Sequence, residues 1–294
     1  MKFNRIQIFY LFVFSVVISS AGCDIINPEE TIPARIQLNS VELQVQPGQG
    51  SARHKITEVW VFANNSLLGV YAPPAEIHYI TDQPTATISF RPGIRNNGIL
   101  EDAIIYPLYT THDVVLNSEP GVVSVVNPVF QYQPGTVFSL ISDFETQNDW
   151  TDNRDTIPES VVTRSSVEPF EGNFSGEIIM DSVANFIEVG HSIAMTDLPV
   201  DGTPTYLEFH YKSEVEMSIG LLGIALNGQS FSSFFYLLRP SDEWNKIYIE
   251  LSGLLQQSGF SSYKILFRSL YPEGATQPTY KIQLDNIKVV HLPE

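Results

Sequence analysis

Short segments in which apolar and polar residues alternate recur along most of this chain. Residues 206–212, 246–251 and 263–267 each place apolar side chains at every second position. A period of two is that of a half-buried β-strand, whereas an amphipathic helix repeats every three to four residues. Only short helical candidates compete with this pattern, near residues 100–105 and 251–257. The alternation therefore predicts an all-β fold.

Turn residues divide the strand-like segments into two groups. A Gln-Pro-Gly turn at residues 133–135 separates them, and we predict two consecutive antiparallel β-sandwich domains over residues 34–133 and 138–294. The clearest hairpin spans residues 56–71. Its turn is expected at Asn64 and Asn65, because asparagine tolerates left-handed backbone conformations.

Composition and charge narrow the class of protein. A hydrophobic content of 43% with 17% charged residues is enough for a packed core and argues against disorder. The net charge of −17 at pH 7 is repelled by phosphate backbones, so nucleic acid is excluded as a partner. With a single cysteine the chain forms no internal disulfide.

The first 22 residues have the three-part layout of a secretory signal. Lys2 and Arg5 form a basic start, an apolar run covers residues 6–18, and small residues precede Cys23. The run is shorter than the roughly 20 residues that a membrane-spanning helix needs. We therefore expect residues 1–22 to be removed.

The segment from Ser20 to Cys23 resembles the lipobox of bacterial lipoproteins, in which the cysteine is acylated after cleavage. It departs from that pattern at Ser20, where an aliphatic residue is usual. The resemblance implies that Cys23 anchors the protein to a membrane through its acyl chains, since two or three chains bind stably. The alternative is an ordinary signal cut near Ala21, which leaves one unpaired thiol in an oxidising compartment.

Residues 23–33 are expected to form the lipidated cysteine and a polar tether. The acids Asp24, Glu29 and Glu30 resemble sorting signals of lipoproteins from diderm bacteria. This implies a protein of the cell envelope that is anchored to the outer membrane, on either its periplasmic or its surface-exposed side.

The first predicted sandwich is similar to immunoglobulin-like or transthyretin-like surface domains. The similarity lies in residues 59–71, a double-proline step, residues 86–90 and a Pro92-Gly93 turn, which follow one another in the same order. Function does not follow from this fold, because such sandwiches have many roles.

The second predicted sandwich is similar to the galactose-binding-like jelly rolls that include many carbohydrate-binding domains. The similarity lies in residues 142–145, 171–176 and 284–289. In that family the first and last strands are adjacent, and an acid from each often holds a structural calcium ion together with carbonyl oxygens.

Carried onto this chain, the resemblance implies calcium held by Glu145 and Asp285, assisted by Asp143 or by carbonyl oxygens of residues 171–176. Apolar residues change from even to odd positions around Asp285 and Asn286, which predicts a β-bulge that turns the carboxylate. The alternative is that these acids lie at the solvent-exposed ends of strands and bind no ion. Such an ion would be structural, since nothing nearby resembles a hydrolytic partner.

Candidate carbohydrate contacts are Trp150, Tyr236 and Arg239. Trp150 lies in a polar loop at residues 148–153, Tyr236 offers an aromatic ring, and Arg239 offers donors to sugar hydroxyls. Most aromatic residues in a sandwich belong to the core, which is the alternative for each ring.

Catalytic motifs with a demanding spacing are absent from the sequence. The six histidines lack zinc-site spacing, no GxSxG is present, and Cys23 is assigned to lipid. We therefore predict a membrane-anchored, non-enzymatic lipoprotein that displays a binding module for carbohydrate. The alternatives are a scaffold or protein-interaction subunit of an envelope complex, and a glycoside-active enzyme with paired carboxylates.

Overall fold

A computed structural model describes residues 31–293, together with residues 4, 6, 9 and 10. Cys23 and most of the predicted signal and tether lie outside these residues. Within the described part of the chain, no helix is both long enough and apolar enough to cross a membrane.

The first group of strands runs from residue 34 to residue 131. It comprises β1 (Ala34–Leu38), β2 (Glu42–Gln44), β3 (Glu58–Ala63), β4 (Ser66–Tyr71), β5 (Ala75–Tyr79), β6 (Thr85–Arg95), β7 (Ala103–Ile105), β8 (His112–Asn117), β9 (Val123–Val126) and β10 (Val129–Gln131). Strands β4, β3 and β6 form one sheet, in which β6 also pairs with β7 and β8. Strand β1 lies between β5 and β9, and β2 pairs with β10. The β1–β9 and β2–β10 pairs are parallel, which departs from the antiparallel sandwich that we predicted.

Two local predictions in this group have different outcomes. The hairpin of β3 and β4 is confirmed, with Asn64 and Asn65 at φ values of 47° and 68° in the turn. The helix expected near residues 100–105 is wrong, because residues 97–101 form turns and β7 pairs with β6. Pairing with a neighbouring strand overrides the weak local preference for a helix.

The second group of strands runs from residue 137 to residue 291. It comprises β11 (Val137–Ser142), β12 (Asp152–Asn153), β13 (Thr163–Ser165), β14 (Ser175–Met180), β15 (Phe186–Gly190), β16 (Thr205–Ser213), β17 (Met217–Ile224), β18 (Ser230–Leu238), β19 (Ser241–Glu250), β20 (Ser262–Leu270) and β21 (Tyr280–His291). One short helix, α1 (Ser252–Ser258), matches the helix expected near residues 251–257.

These later strands form two facing antiparallel sheets. The inner sheet has the order β13-β14-β21-β16-β19, with β11 also paired to β21, and the outer sheet has the order β12-β15-β20-β17-β18. Between them lies a core that includes Leu207, Phe209, Ile265, Phe267 and Ile282. The predicted all-β sandwich class is confirmed.

The β-bulge predicted at Asp285 and Asn286 is present in β21. Glu208 of β16 pairs with Lys288, but His210 pairs with Asp285, so β21 carries one extra residue. Asn286 takes a positive φ of 51° at this point. A bulge lets the apolar side chains on both sides of it face the same core.

The inner sheet turns its second face toward the first group of strands. Tyr206, Tyr248 and Val290 of the inner sheet belong to the same buried cluster as Ile36 and Phe90 of the first group. Within residues 31–293 each group pairs its strands internally, but the two groups share this core. The predicted boundary between residues 133 and 138 stays a prediction.

A buried ion pair lies in this shared interface. Lys246 Nζ lies 2.8 Å from Glu208 Oε2, and the hydroxyls of Tyr106 and Tyr132 donate to Glu208 Oε1 at 2.7 and 3.0 Å. Burial by itself raises the pKa of Glu208, but the charges of Lys246 and Lys288 outweigh it and hold the pKa below its ordinary value.

Residues 49–53 fasten the first group across the same face. Lys288 Nζ donates to the carbonyl oxygens of Gln49 and Ser51 at 2.9 and 2.7 Å, and Lys246 Nζ donates to that of Arg53 at 2.9 Å. This segment covers part of the second face of the inner sheet, so the outer sheet is the better exposed of the two.

Candidate functional site

The solvent face of the outer sheet follows from the alternation of its strands. In β20, Ile265 and Phe267 point into the core, so Lys264, Leu266 and Arg268 lie on the opposite face. The same rule places alternate residues of β15 and β17 there. We call this surface the outer face.

Two leucines on the outer face are almost completely buried. Leu222 and Leu266 are 2% and 0% exposed. The cross-strand partners of Leu266 are Gly190 and Gly220. An added Cβ at Gly190 would meet Leu266 at 3.0 Å, so the missing side chain lets the leucine lie close to the sheet.

A network of paired charges surrounds these two leucines. Arg268 Nε and Nη2 donate to Glu188 Oε2 at 3.0 and 2.6 Å. Arg154 bridges two acids, with its Nε 3.6 Å from Glu188 and its Nη1 3.7 Å from Asp152. Lys264 Nζ donates to Asp152 Oδ2 at 2.8 Å. Since opposite charges alternate, these side chains hold one another in place.

Arg268 is also stacked against an aromatic ring. Its guanidinium carbon lies 3.5 Å from the ring centroid of Phe234 and 5.9 Å from that of Phe186. Its side chain is 36% exposed. Glu188 engages two of the five N–H groups of the guanidinium, so the others are geometrically fixed donors.

A cleft of about 660 Å³ opens at the Arg268 end of the outer face. Its walls include Ser218, Leu237 and Leu270 of the sheet and the loops at residues 214–216 and 271–273. Leu237 and Leu270 are 53% and 64% exposed. Apolar surface beside fixed donors and carboxylate acceptors can bind a ligand that has both hydroxyl groups and C–H faces.

Trp150 does not lie on an exposed surface, which corrects its prediction as a ligand contact. The residue is 1% exposed and its indole N–H donates to Ser142 Oγ at 3.2 Å. Its ring packs 4.7 Å from Phe267 and 5.5 Å from His191, measured between ring centroids. The polar residues around it occupy the loop, while the ring fills the space between the sheets.

Tyr236 and Arg239 lie together on another cavity, of about 480 Å³, between the two groups of strands. The Tyr236 hydroxyl donates to the carbonyl oxygen of Asn97 at 2.6 Å, and Arg239 is exposed. This cavity and the Arg268 cleft share Leu237 as a lining residue. The predicted role of Tyr236 and Arg239 in ligand binding stays a prediction.

The carboxylate of Glu145 is held by backbone amides. Glu145 Oε1 accepts hydrogen bonds from the N–H groups of Asn173 and Phe174 at 2.8 and 3.0 Å. The bond from Phe174 is the main reason that the pKa of Glu145 lies below its ordinary value. Asp143 is exposed, and its Oδ1 accepts from the Glu145 N–H at 3.0 Å.

Asp285 is 1% exposed, and the bulge directs its carboxylate to the segment that also contacts Glu145. Its oxygens accept from the N–H groups of Glu171 and Asn286 at 3.2 and 2.7 Å. Burial raises the pKa of Asp285 to about 7, and the charges of Glu171 and Glu145 add to this. Glu145 and Asp285 are therefore close enough to interact electrostatically.

Calcium needs six to eight oxygen ligands, but the segment between these two carboxylates presents N–H groups to them. Among the described residues, no group of three or more His, Cys, Asp or Glu side chains is arranged to hold a metal. Asp143, Glu145 and Asp285 are thus not assembled into one cluster, and the calcium site stays a prediction.

Removing calcium is expected to lower the melting temperature of the protein if this ion is bound. Loss of an ion present at a hundredfold excess over its Kd costs about 2.7 kcal/mol. Thermal unfolding in calcium and in chelator measures the difference, with the Asp285→Asn variant as a control that should lose the response. Identical midpoints in calcium and chelator would contradict the calcium prediction.

Sequence reasoning missed the residues of the outer face, above all Arg268, Glu188 and Phe234. One signal was present, because the alternation in residues 263–267 assigns Lys264 and Arg268 to a common solvent face. The partner of Arg268 was not visible, since Glu188 lies 80 residues earlier in the chain.

No protein-family model matches the chain, and no curated protein sequence matches it. Similar solved structures include the CBM22-1 xylan-binding domain of Paenibacillus barcinonensis Xyn10C, with 14% identity and a TM-score of 0.40, over 55% of this chain and 99% of that chain. The family 11 carbohydrate-binding module of Lic26A-Cel5E from Clostridium thermocellum has 17% identity and a TM-score of 0.37, over 54% and 96%.

A further structure, of a promiscuous carbohydrate-binding module from the β-sandwich superfamily, has 13% identity and a TM-score of 0.40. That match covers 89% of this chain and 99% of the other. With TM-scores of 0.37 to 0.40, these similarities carry no argument about what this chain binds.

Proposed function

We propose that this protein is a lipid-anchored, non-enzymatic protein of a diderm bacterial envelope that binds neutral polysaccharide on its outer face. The observation that carries the proposal is Arg268, which is stacked on Phe234 and fixed by Glu188 beside a cleft of about 660 Å³. Side chains held in this way meet a ligand with little further loss of conformational entropy.

The chemistry of the outer face suits sugar rings. Arg268 donates to hydroxyl oxygens, the carboxylates of Asp152 and Glu188 accept from hydroxyl groups, and exposed leucine side chains pack against C–H faces. The net charge of −17 repels polyanions. A neutral polysaccharide therefore fits better than an acidic one.

The geometry of the charged network argues against Asp152 and Glu188 as the catalytic pair of a glycosidase. Glycoside hydrolysis needs two carboxyl groups that flank the bond to be broken, one acting as the acid. On the outer face, Asp152 and Glu188 are each engaged by cationic side chains, from Lys264 and Arg268 respectively. These carboxylates serve as fixed acceptors for a bound ligand.

Replacing Arg268 by alanine is expected to weaken polysaccharide binding by about 10- to 150-fold, because a hydrogen bond to a charged group contributes roughly 1.5–3 kcal/mol. Arg268→Lys keeps the charge but loses the planar fork and the stacking, so most of the loss should remain. An array of neutral and acidic glycans identifies the ligand, and titration calorimetry then measures each affinity.

Two matched arginine variants locate the site. Arg35→Ala lies in the first group of strands and should leave binding unchanged. Arg239→Ala tests the cavity between the two groups. If Arg239→Ala weakens polysaccharide binding and Arg268→Ala does not, the outer face is contradicted as the site. A blank array would contradict carbohydrate binding and favour the scaffold alternative.

A further inference from the structure

A separate cavity, of about 290 Å³, opens at the edge of the outer sheet, between β18 on one side and α1 with the segment that follows it on the other. Four aromatic rings contribute to its walls, from Phe231, Phe235, Phe260 and Tyr263. The polar side chains in its lining are those of Ser233, Gln257 and Tyr263, and the Tyr263 hydroxyl donates to the carbonyl oxygen of Phe260 at 3.2 Å. We call it the edge cavity.

The edge cavity exists because two small residues occupy core-facing positions. Ser233 pairs across the strands with Leu221, whose side chain belongs to the core. Gly223 lies two positions further along β17, and the ring of Phe260 takes up the space where a Cβ would be. A larger apolar side chain at residue 233 would extend the core into this space, so the cavity is a gap in an apolar layer.

Solvent reaches the edge cavity. Phe231 is 64% exposed and Leu226, at the neighbouring end of β17, is 95% exposed. Phe235 and Phe260 are partly buried and pack against the core. The rings thus surround an opening and not a sealed void.

We propose that the edge cavity binds a neutral, planar compound of up to two fused rings that carries one hydroxyl group. An apolar cavity of about 150 Å³ accommodates benzene, and this one is close to twice that size. Aromatic walls favour a planar ring, and Ser233 and Gln257 can each hydrogen-bond to a hydroxyl group. None of the described residues that line it carries a charge, which favours a neutral ligand.

This binding site is independent of the outer face. The described residues that line the edge cavity include neither Arg268 nor the residues of its charged network. Ser232, the neighbour of Ser233, pairs with Leu222 and lies on the outer face. Adjacent serines of one strand therefore belong to different candidate sites, which provides a matched pair of variants.

The probe for this proposal is 2-naphthol, measured by equilibrium dialysis and thermal shift on the purified protein. We expect saturable binding that raises the melting temperature, and at least tenfold weaker binding of 2-naphthalenesulfonate, whose charge has no partner in the cavity. Ser233→Leu fills the cavity and should weaken 2-naphthol binding at least tenfold without lowering the melting temperature. Ser232→Leu should bind 2-naphthol like the unaltered protein.

Phe231→Ala serves as a second variant, since this exposed ring can be removed without disturbing the core. It should also weaken 2-naphthol binding. No saturable binding up to the solubility limit of 2-naphthol, or equal binding by the unaltered protein and Ser233→Leu, would overturn the proposal.

Discussion

Replacing Glu208 by alanine is expected to lower the free energy of unfolding by about 3–5 kcal/mol, because it leaves a buried charge without its partner. The ammonium group of Lys246, which lies 2.8 Å from Glu208 Oε2, would stay buried without this partner. The hydroxyls of Tyr106 and Tyr132 would lose their acceptor as well. Urea denaturation measures the change in the free energy of unfolding. The interactions that are lost lie in the interface between the two groups of strands.

Two controls separate the buried charge from a general effect of mutation. The double variant Glu208→Leu, Lys246→Met should recover part of the stability, since apolar residues of similar volume can replace a buried ion pair, while the hydroxyls of Tyr106 and Tyr132 still lack their acceptor. Glu168→Ala breaks an ion pair with Lys212 in which the glutamate is 72% exposed, and should cost less than about 1 kcal/mol. A loss below about 1 kcal/mol for Glu208→Ala would contradict this account of the interface.

The pH dependence of this interaction has a definite sign. The pKa of Glu208 in the folded protein lies below its ordinary value of 4.5, so the folded state favours the ionised carboxylate. Its contribution to stability is therefore complete above about pH 4.5 and decreases as the pH falls through the folded-state value. The stability difference between the unaltered protein and Glu208→Ala should narrow in acid.

Replacing Cys23 by alanine is expected to release the whole protein from the membrane fraction. The proposed anchor consists of acyl chains on this residue, and each buried methylene contributes about 0.8 kcal/mol to membrane binding. The acidic chain, with a net charge of −17, has no electrostatic attraction to an anionic surface that could replace the lipid. Fractionation with and without detergent, together with metabolic labelling by a fatty-acid probe, measures the anchoring.

Ser20→Leu is the matched control for this experiment. It introduces the aliphatic residue that is usual three positions before the cysteine, so the variant should be labelled and anchored at least as well as the unaltered protein. Continued membrane association of Cys23→Ala, without label, would contradict lipidation as the anchor and favour another means of attachment. An unaltered protein that is neither labelled nor bound to membranes would favour a signal cut near Ala21.

Features that depend on neighbours in sequence could be predicted. The alternation in residues 206–212 identified which side chains of β16 face the core, because strand periodicity is a property of adjacent residues. The change of parity in β21 located the bulge at Asp285 and Asn286 for the same reason. The turn at Asn64 and Asn65 followed from the intrinsic backbone preference of asparagine.

Features that depend on distant parts of the chain could not. Trp150 stands among polar residues in sequence, yet its ring is buried against Phe267, which lies more than a hundred positions later. Arg268 meets Glu188 only because β15 and β20 become neighbours in the outer sheet. The gap at Ser233 exists only where α1 and Phe260 close over the sheet edge.

The sequence by itself determined the all-β class, the alternation within each strand and the prediction of an anchor at Cys23. Only the tertiary structure decided which strands lie side by side, which aromatic rings are buried and which charges meet on the outer face. The physical reason is the range of the interactions: periodicity and turn preference act between adjacent residues, whereas burial and ion pairing depend on how the whole chain packs.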